Sequence, residues 1–195
     1  MAPTSPPGAG LRYYAGSAAL GRRFLRRGDA AALFEASADA CAELRRSLRL
    51  LGPGEEASVE VLQEDAYSGL RRILPRLAGL RGLVFVDPPY DLSFSDQLNA
   101  ALLLHVSRHW PSSSVALWYP IRDEARTARV YQKLRSLSLG PLLAAHLAVG
   151  AVRTGVLLVR PPERMDAQLR EVLPALGRLL APDSQVCVGC SVFWL

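Results

Sequence analysis

The chain has 195 residues, of which 50% are hydrophobic and 21% charged; that suffices for one ordinary domain and excludes wholesale disorder, collagen-like repeats and disulfide scaffolds. Mean hydropathy is +0.13, and no run of about 18 uncharged apolar residues occurs, so no membrane-spanning helix and no membrane partner are expected. The formal charge of +5 rests on Arg, with Lys133 the lone lysine, and suits phosphate-bearing partners as well as a generic basic surface.

Three cysteines make no disulfide framework, which points to a reducing, cytoplasmic compartment. The start lacks the apolar stretch of a secretory signal, although its acid-free run up to Asp29 resembles an organellar transit peptide in composition. Residues 1–10, rich in Pro and Gly, read as a disordered tail, and residues 11–195 as one domain. A helix is expected over 17–28, capped by Ser17, stopped by Gly28, with Arg22, Arg23, Arg26 and Arg27 on one face. A short buried strand over 31–36 carries Glu35 near its end. Residues 38–51 form a helix with Cys41, Leu44, Leu48 and Leu51 on one stripe, stopped by Gly52-Pro53-Gly54. A strand over 59–63, a helix over 67–77 and a continuous apolar strand over 82–86 follow. Residues 95–109 form a helix, 115–119 a strand and 123–137 a helix. Strands over 142–149 and 155–159 pair; 163–180 is helical despite Pro174, and 185–195 is a terminal strand. Short apolar strands alternating with amphipathic helices predict a three-layer α/β sandwich. Because the strands are continuously apolar, a mostly parallel sheet covered on both faces is expected.

One segment carries chemistry. Asp87-Pro88-Pro89-Tyr90 follows the apolar strand 82–86, and sites in open α/β sheets lie at the carboxyl ends of strands. Two prolines fix φ and leave carbonyl acceptors aimed in set directions. Asp87 and the Pro88 carbonyl can accept the two N–H bonds of an aromatic amine and free its lone pair. Tyr90 can stack on the flat base. The bland alternative is a proline-rich turn with Tyr90 as packing. Glu35 stands where doubly wound folds place an acid for ribose hydroxyls, and Asp65 can accept an adenine amino group. Each acid alone reads rather as an exposed strand-end residue, and it is their spacing relative to Asp87 that points to a cofactor.

Together these stretches resemble the bacterial 23S ribosomal RNA adenine-N6 methyltransferases of the RlmJ (ComJ-like) type. The resemblance runs from about residue 11 to the C-terminus. It rests on Leu11–Ser17, Phe34-Glu35, Glu64–Tyr67, Arg81–Tyr90, Ala116–Pro120 and Gly155–Pro162. It implies a Rossmann-like class I methyltransferase fold, S-adenosylmethionine as cofactor and large-subunit rRNA as partner. It also implies Asp87 as catalytic acid with Pro88, Pro89 and Tyr90, and cofactor contacts at Ser17, Glu35, Asp65, Ala66 and Asp87. Departures are Ala15 and Ala18 in place of Pro, Ser37-Ala38 in place of His-Pro, and Ala66 in place of Gly. Family members also begin with a helix, a strand and a glycine-rich loop, which nothing before residue 11 supplies. The chain is then a truncated product, an incomplete gene model or a degenerate relative; if complete, it is expected to bind the cofactor weakly or not at all.

Arg22, Arg23 and Arg26 are candidates for RNA phosphates or a solvated face. Trp118 and Tyr119 end a strand beside Asp87 and read as a nucleotide wall, with Tyr119 touching RNA, or as core. Cys187-x-x-Cys190, with Cys41 elsewhere, reads as packing, and His105 and His109 as flank histidines, so no metal is expected. A monomer is the default. Two rivals stand beside the rRNA methyltransferase: an inactive methyltransferase-like module that binds RNA or protein, and an amine methyltransferase acting on DNA adenine or protein glutamine.

Overall fold

The computed structural model describes residues 16–50, 57–88, 96–181 and 185–195. The expected tail, residues 11–15, the Gly52-Pro53-Gly54 stop, and Pro89 and Tyr90 lie outside the described residues. The chain divides into two compact units, Met1–Arg72 and Ile73–Leu195.

The first unit contains α1 (Ser17–Phe24), β1 (Ala30–Phe34), α2 (Ala38–Leu50), β2 (Ser58–Leu62) and the start of α3 (Ala66–Leu77). β1 and β2 pair in parallel from Ala30↔Ser58 to Phe34↔Leu62. Parallel neighbours need a crossover, and α2 supplies it, packing on β2. Its stripe is as expected at Cys41 and Leu48, both buried. The first helix departs from expectation at both ends. Gly16, extended at φ −65° and ψ 164°, takes the cap position and makes Ser17 the first helical residue. Extended Leu25 ends the helix, and Gly28, at φ 83°, turns the chain into β1. Arg26 and Arg27 therefore lie beyond the helix, and the four arginines do not share one helical face.

The second unit contains β3 (Gly82–Val86), α4 (Asp96–His109), β4 (Ser113–Pro120), α5 (Glu124–Arg135), β5 (Leu142–Val149), β6 (Val152–Val159), α6 (Met165–Leu180) and β7 (Val188–Trp194). Its sheet runs β3-β4-β6-β5-β7. Only β3 and β4 pair in parallel; β4–β6, β5–β6 and β5–β7 are antiparallel. The sheet is therefore mixed, not mostly parallel. The cause is local: Gly150, at φ 59°, and Ala151 close a tight hairpin between β5 and β6, and a hairpin forces antiparallel pairing.

Residue parity along the strands sorts the faces. Met165, Leu169 and Leu173 of α6 pack on one face against Leu143, Ala145, Val192 and Leu158. Tyr131 of α5 sits on the other, edge-on to Phe193. Leu143, Leu157, Val115 and Val159 form the buried centre. The expected cover on both faces fails at β3. Val84 is buried, but Leu83 and Phe85 are 62% and 52% exposed. Among the described residues β3 pairs only with β4, and α6 packs at the far end of the sheet, on β5 and β7. The start of β3 is pinned instead by Trp110. Its indole N–H donates to the Leu80 carbonyl at 2.8 Å, and its ring fills the space a side chain at Gly82 would need.

Candidate active site

Each unit presents strand ends carrying the expected acids. In the first unit Glu35 follows β1, and its backbone N–H continues the ladder to the Leu62 carbonyl at 3.0 Å. Its carboxylate accepts the Ser37 N–H at 2.8 Å. Asp65 follows β2 and caps α3, its Oδ1 accepting the Ser68 N–H at 2.9 Å. A carboxylate offers about four lone-pair sites, so one backbone bond fixes its orientation and leaves capacity for a ligand. Both acids thus stand, held by their own loops, at the carboxyl ends of adjacent parallel strands. As acceptors they fit the hydroxyls of a ribose and the amino group of an adenine. Ala66 is the first residue of α3, and exposed Ser17 is the first of α1.

Sequence reasoning missed what presses this corner together. A Cβ at Gly69 would run into the Phe34 ring, so the glycine lets the first turns of α3 lie against the end of β1. A glycine inside a helical pattern was the available signal. Glu64 and Arg72 form an ion pair across the same helix start.

In the second unit Asp87 and Pro88 follow β3 directly. Val86 pairs with Leu117, which puts Asp87 beside the Trp118 end of β4. Asp87 is exposed and Pro88 half-buried, so the turn begins at the sheet edge where the pattern predicted it. Tyr119 is half-buried, with its hydroxyl bonded to those of Tyr131 and, at 3.1 Å, to His146 Nε2. Tyr131 also reaches His146 Nε2 at 2.6 Å. Burial raises both phenols, most strongly Tyr119, and lowers His146, which Arg153 lowers further. This cluster escaped the sequence reading because its members are scattered over three elements; Gly155, inside a strand pattern, was the one hint.

The arginines differ in placement. Arg22 donates to the Leu48 carbonyl of α2. Arg23 is exposed, as is Arg26, whose backbone N–H meets the Asp29 carboxylate at 2.7 Å. Cys187 and Cys190 are exposed and Cys41 is buried. The rings of His105 and His109 lie with centroids 4.1 Å apart, tilted by 37°, near the end of α4. Among the described residues no group of three or more His, Cys, Asp or Glu could hold a metal ion, and no helix is long and apolar enough to cross a membrane.

Comparison with known proteins bears on both units. The family model described as "RsmJ: Ribosomal RNA large subunit methyltransferase D, RlmJ" matches residues 5–195. The chain is 28% identical over 183 residues to the "Ribosomal RNA large subunit methyltransferase J" of Haemophilus influenzae, covering 90% of this chain and 63% of that one. It is 27% identical over 179 residues to the protein of the same name from Escherichia coli, covering 88% and 62%. The chain therefore spans less than two thirds of the length of these curated relatives. A crystal structure of a Legionella pneumophila protein is similar with TM-score 0.75 and 22% identity, over 92% of this chain and 66% of that one. That likeness concerns the fold, which is α/β and of the Rossmann-like methyltransferase type.

Proposed function

The chain belongs to the RlmJ family of ribosomal RNA large subunit methyltransferases, and on that footing we propose that it methylates the N6 amino group of an adenine in large-subunit rRNA. The observation that carries the reading is Asp87-Pro88 at the carboxyl end of β3, within the stretch the family model matches. This treats residues 11–195 as one methyltransferase-like domain working in the cytoplasm.

S-Adenosylmethionine, when bound, supplies a methyl group made electrophilic by its sulfonium. Glu35 accepts from ribose hydroxyls, and Asp65 from the adenine amino group, while it continues to cap α3. Ser17 and Ala66, each the first residue of a helix, bring backbone to the same ligand. Asp87 and the Pro88 carbonyl accept the two N–H bonds of the target amine. Those bonds draw the nitrogen out of conjugation with its ring and free its lone pair for methyl transfer. Asp87 acts as an acceptor rather than a strong base. Pro89 stiffens the turn, and Tyr90 stacks on the extruded base. In-line positioning of this kind is worth about 7 kcal/mol or more in favourable systems. Arg22, Arg23, Arg26 and Tyr119 are the proposed RNA contacts. Arg23 is best placed, being exposed.

The test is transfer of labelled methyl from S-adenosylmethionine to isolated large-subunit rRNA, to DNA and to protein, with the product nucleoside identified by mass spectrometry. N6-methyladenine in the rRNA is expected. Label in DNA or glutamine would move the chain to another amine substrate, and binding of rRNA without any transfer would make it an inactive module.

A further inference from the structure

The sheet of the second unit carries a polar cluster of which the proposed chemistry uses only Tyr119, as an RNA contact. Tyr119 of β4 lies in register with Gly155 of β6, and Gly155 with His146 of β5. The three positions form one row across three strands. A Cβ at Gly155 would run into the Tyr119 ring, so that ring lies across β6 and reaches the imidazole on the far strand. Tyr131 of α5 closes the triangle from above, and Phe193 of β7 flanks both Tyr131 and His146 edge-on. With the proton of the neutral imidazole on Nδ1, Nε2 accepts from Tyr131, at 2.6 Å, and the Tyr131 oxygen accepts from Tyr119; the other tautomer runs the same chain in reverse. Packing alone would be served by phenyl rings. Three polar groups that leave water must instead be satisfied together, and a fully satisfied network selects one arrangement.

That arrangement bears on the site. Tyr119 lies two residues past Leu117, whose partner Val86 immediately precedes Asp87. We propose that Tyr119, Tyr131 and His146 are positioning residues: by tying the end of β4 across β6 to β5 and α5, they hold the β3–β4 edge that presents Asp87 and Pro88. The proposal rests on the reading of Asp87-Pro88 as the amine holder. Charged groups near the imidazole are Arg153 and Glu124, which form an ion pair with each other. Protonation of His146 makes Nε2 a donor, so the bond to Tyr131 persists only with its direction reversed, and places a charge on a half-buried imidazole near Arg153.

The experiment uses Tyr131→Phe, His146→Leu and His146→Gln, with Asp87→Ala in parallel. Tyr131→Phe and His146→Leu are expected to lower kcat about tenfold, with KM for S-adenosylmethionine within about twofold. Amide exchange over residues 82–88 and 116–121 is expected to rise about tenfold, while β5 and β7 keep their protection. His146→Gln retains an acceptor and should restore kcat, but without the native decline in acid. Unchanged exchange at 82–88, or a uniform rise across the sheet, overturns the proposal, as does a lowered melting temperature with native kcat. If Asp87→Ala keeps native transfer, the amine-holder reading fails on its own, and exchange still decides whether the cluster anchors the edge. If the native protein transfers no methyl group, the exchange pattern alone upholds or overturns the anchoring role.

Discussion

His146 and its two tyrosines show what single residues add. The imidazole is held below its ordinary 6.5, first by burial and then by Arg153. The unfolded chain therefore binds its proton more readily, and the His146 contribution to stability is complete above 6.5 and falls as pH drops below it. Burial raises both phenols from their ordinary 10.0, so their contribution is complete below 10.0 and falls as pH rises above it. Denaturation at a series of pH values should give a plateau between these limits with a decline on either side. His146→Gln should flatten the acid side and leave the alkaline side, and an unaltered acid side would refute the assignment. Glu35 and Asp65 show the complementary case: one backbone bond holds each carboxylate where its chain position already put it. These two acids were readable in the sequence because chain position alone places a residue at a strand end. The tyrosine–histidine cluster was not, because strand pairing brings it together.

At the scale of elements, the order of helices and strands followed from apolar runs and their breakers, as at Gly82–Val86 before Asp87-Pro88. Pairing direction did not. A run such as Leu142–Val149 looks the same in a parallel or antiparallel sheet, and only the hairpin at Gly150 decides. Exposure follows from pairing as well, and the absence of the family's first strand already implied exposed apolar surface. Leu83, Val84 and Phe85 are all apolar, yet only Val84 is buried, because β3 has one neighbour among the described strands. Close approach explains Gly69 inside α3, Gly155 inside β6 and Gly177 inside α6. Gly69→Ala should displace the Phe34 ring and loosen the corner holding Glu35 and Asp65. Overpacking of this sort costs about 1–3 kcal/mol. Urea denaturation and cofactor titration of this variant should show lower stability and weaker binding together. Native stability in the variant would contradict the packing argument.

For the whole molecule, the +5 charge and the arginine bias are what the proposed rRNA partner would meet. Binding to rRNA should weaken linearly in log salt, as counterions are released. Arg23 is exposed, whereas Arg22 already donates to the Leu48 carbonyl. Arg23→Gln should therefore reduce the salt slope by about 0.7–0.9 for one lost phosphate contact. Filter binding at several salt concentrations reads it, and an unchanged slope would remove Arg23 from the interface. The charge was legible in composition, but which arginines are presented was not. Helix α1 stops at Phe24 rather than Gly28, and so dissolves the single basic face that the spacing suggested.

The proposed hold of Asp87 on the amine to be methylated decides the function. It is tested most directly by comparing methyl transfer to rRNA by the native protein and by Asp87→Ala, with circular dichroism to confirm the fold of each. Transfer should fall by about 10³-fold or more, the scale of losing a preorganised hydrogen-bond partner, while KM for S-adenosylmethionine stays within about threefold. Transfer within about tenfold of native by a folded Asp87→Ala protein would contradict the account.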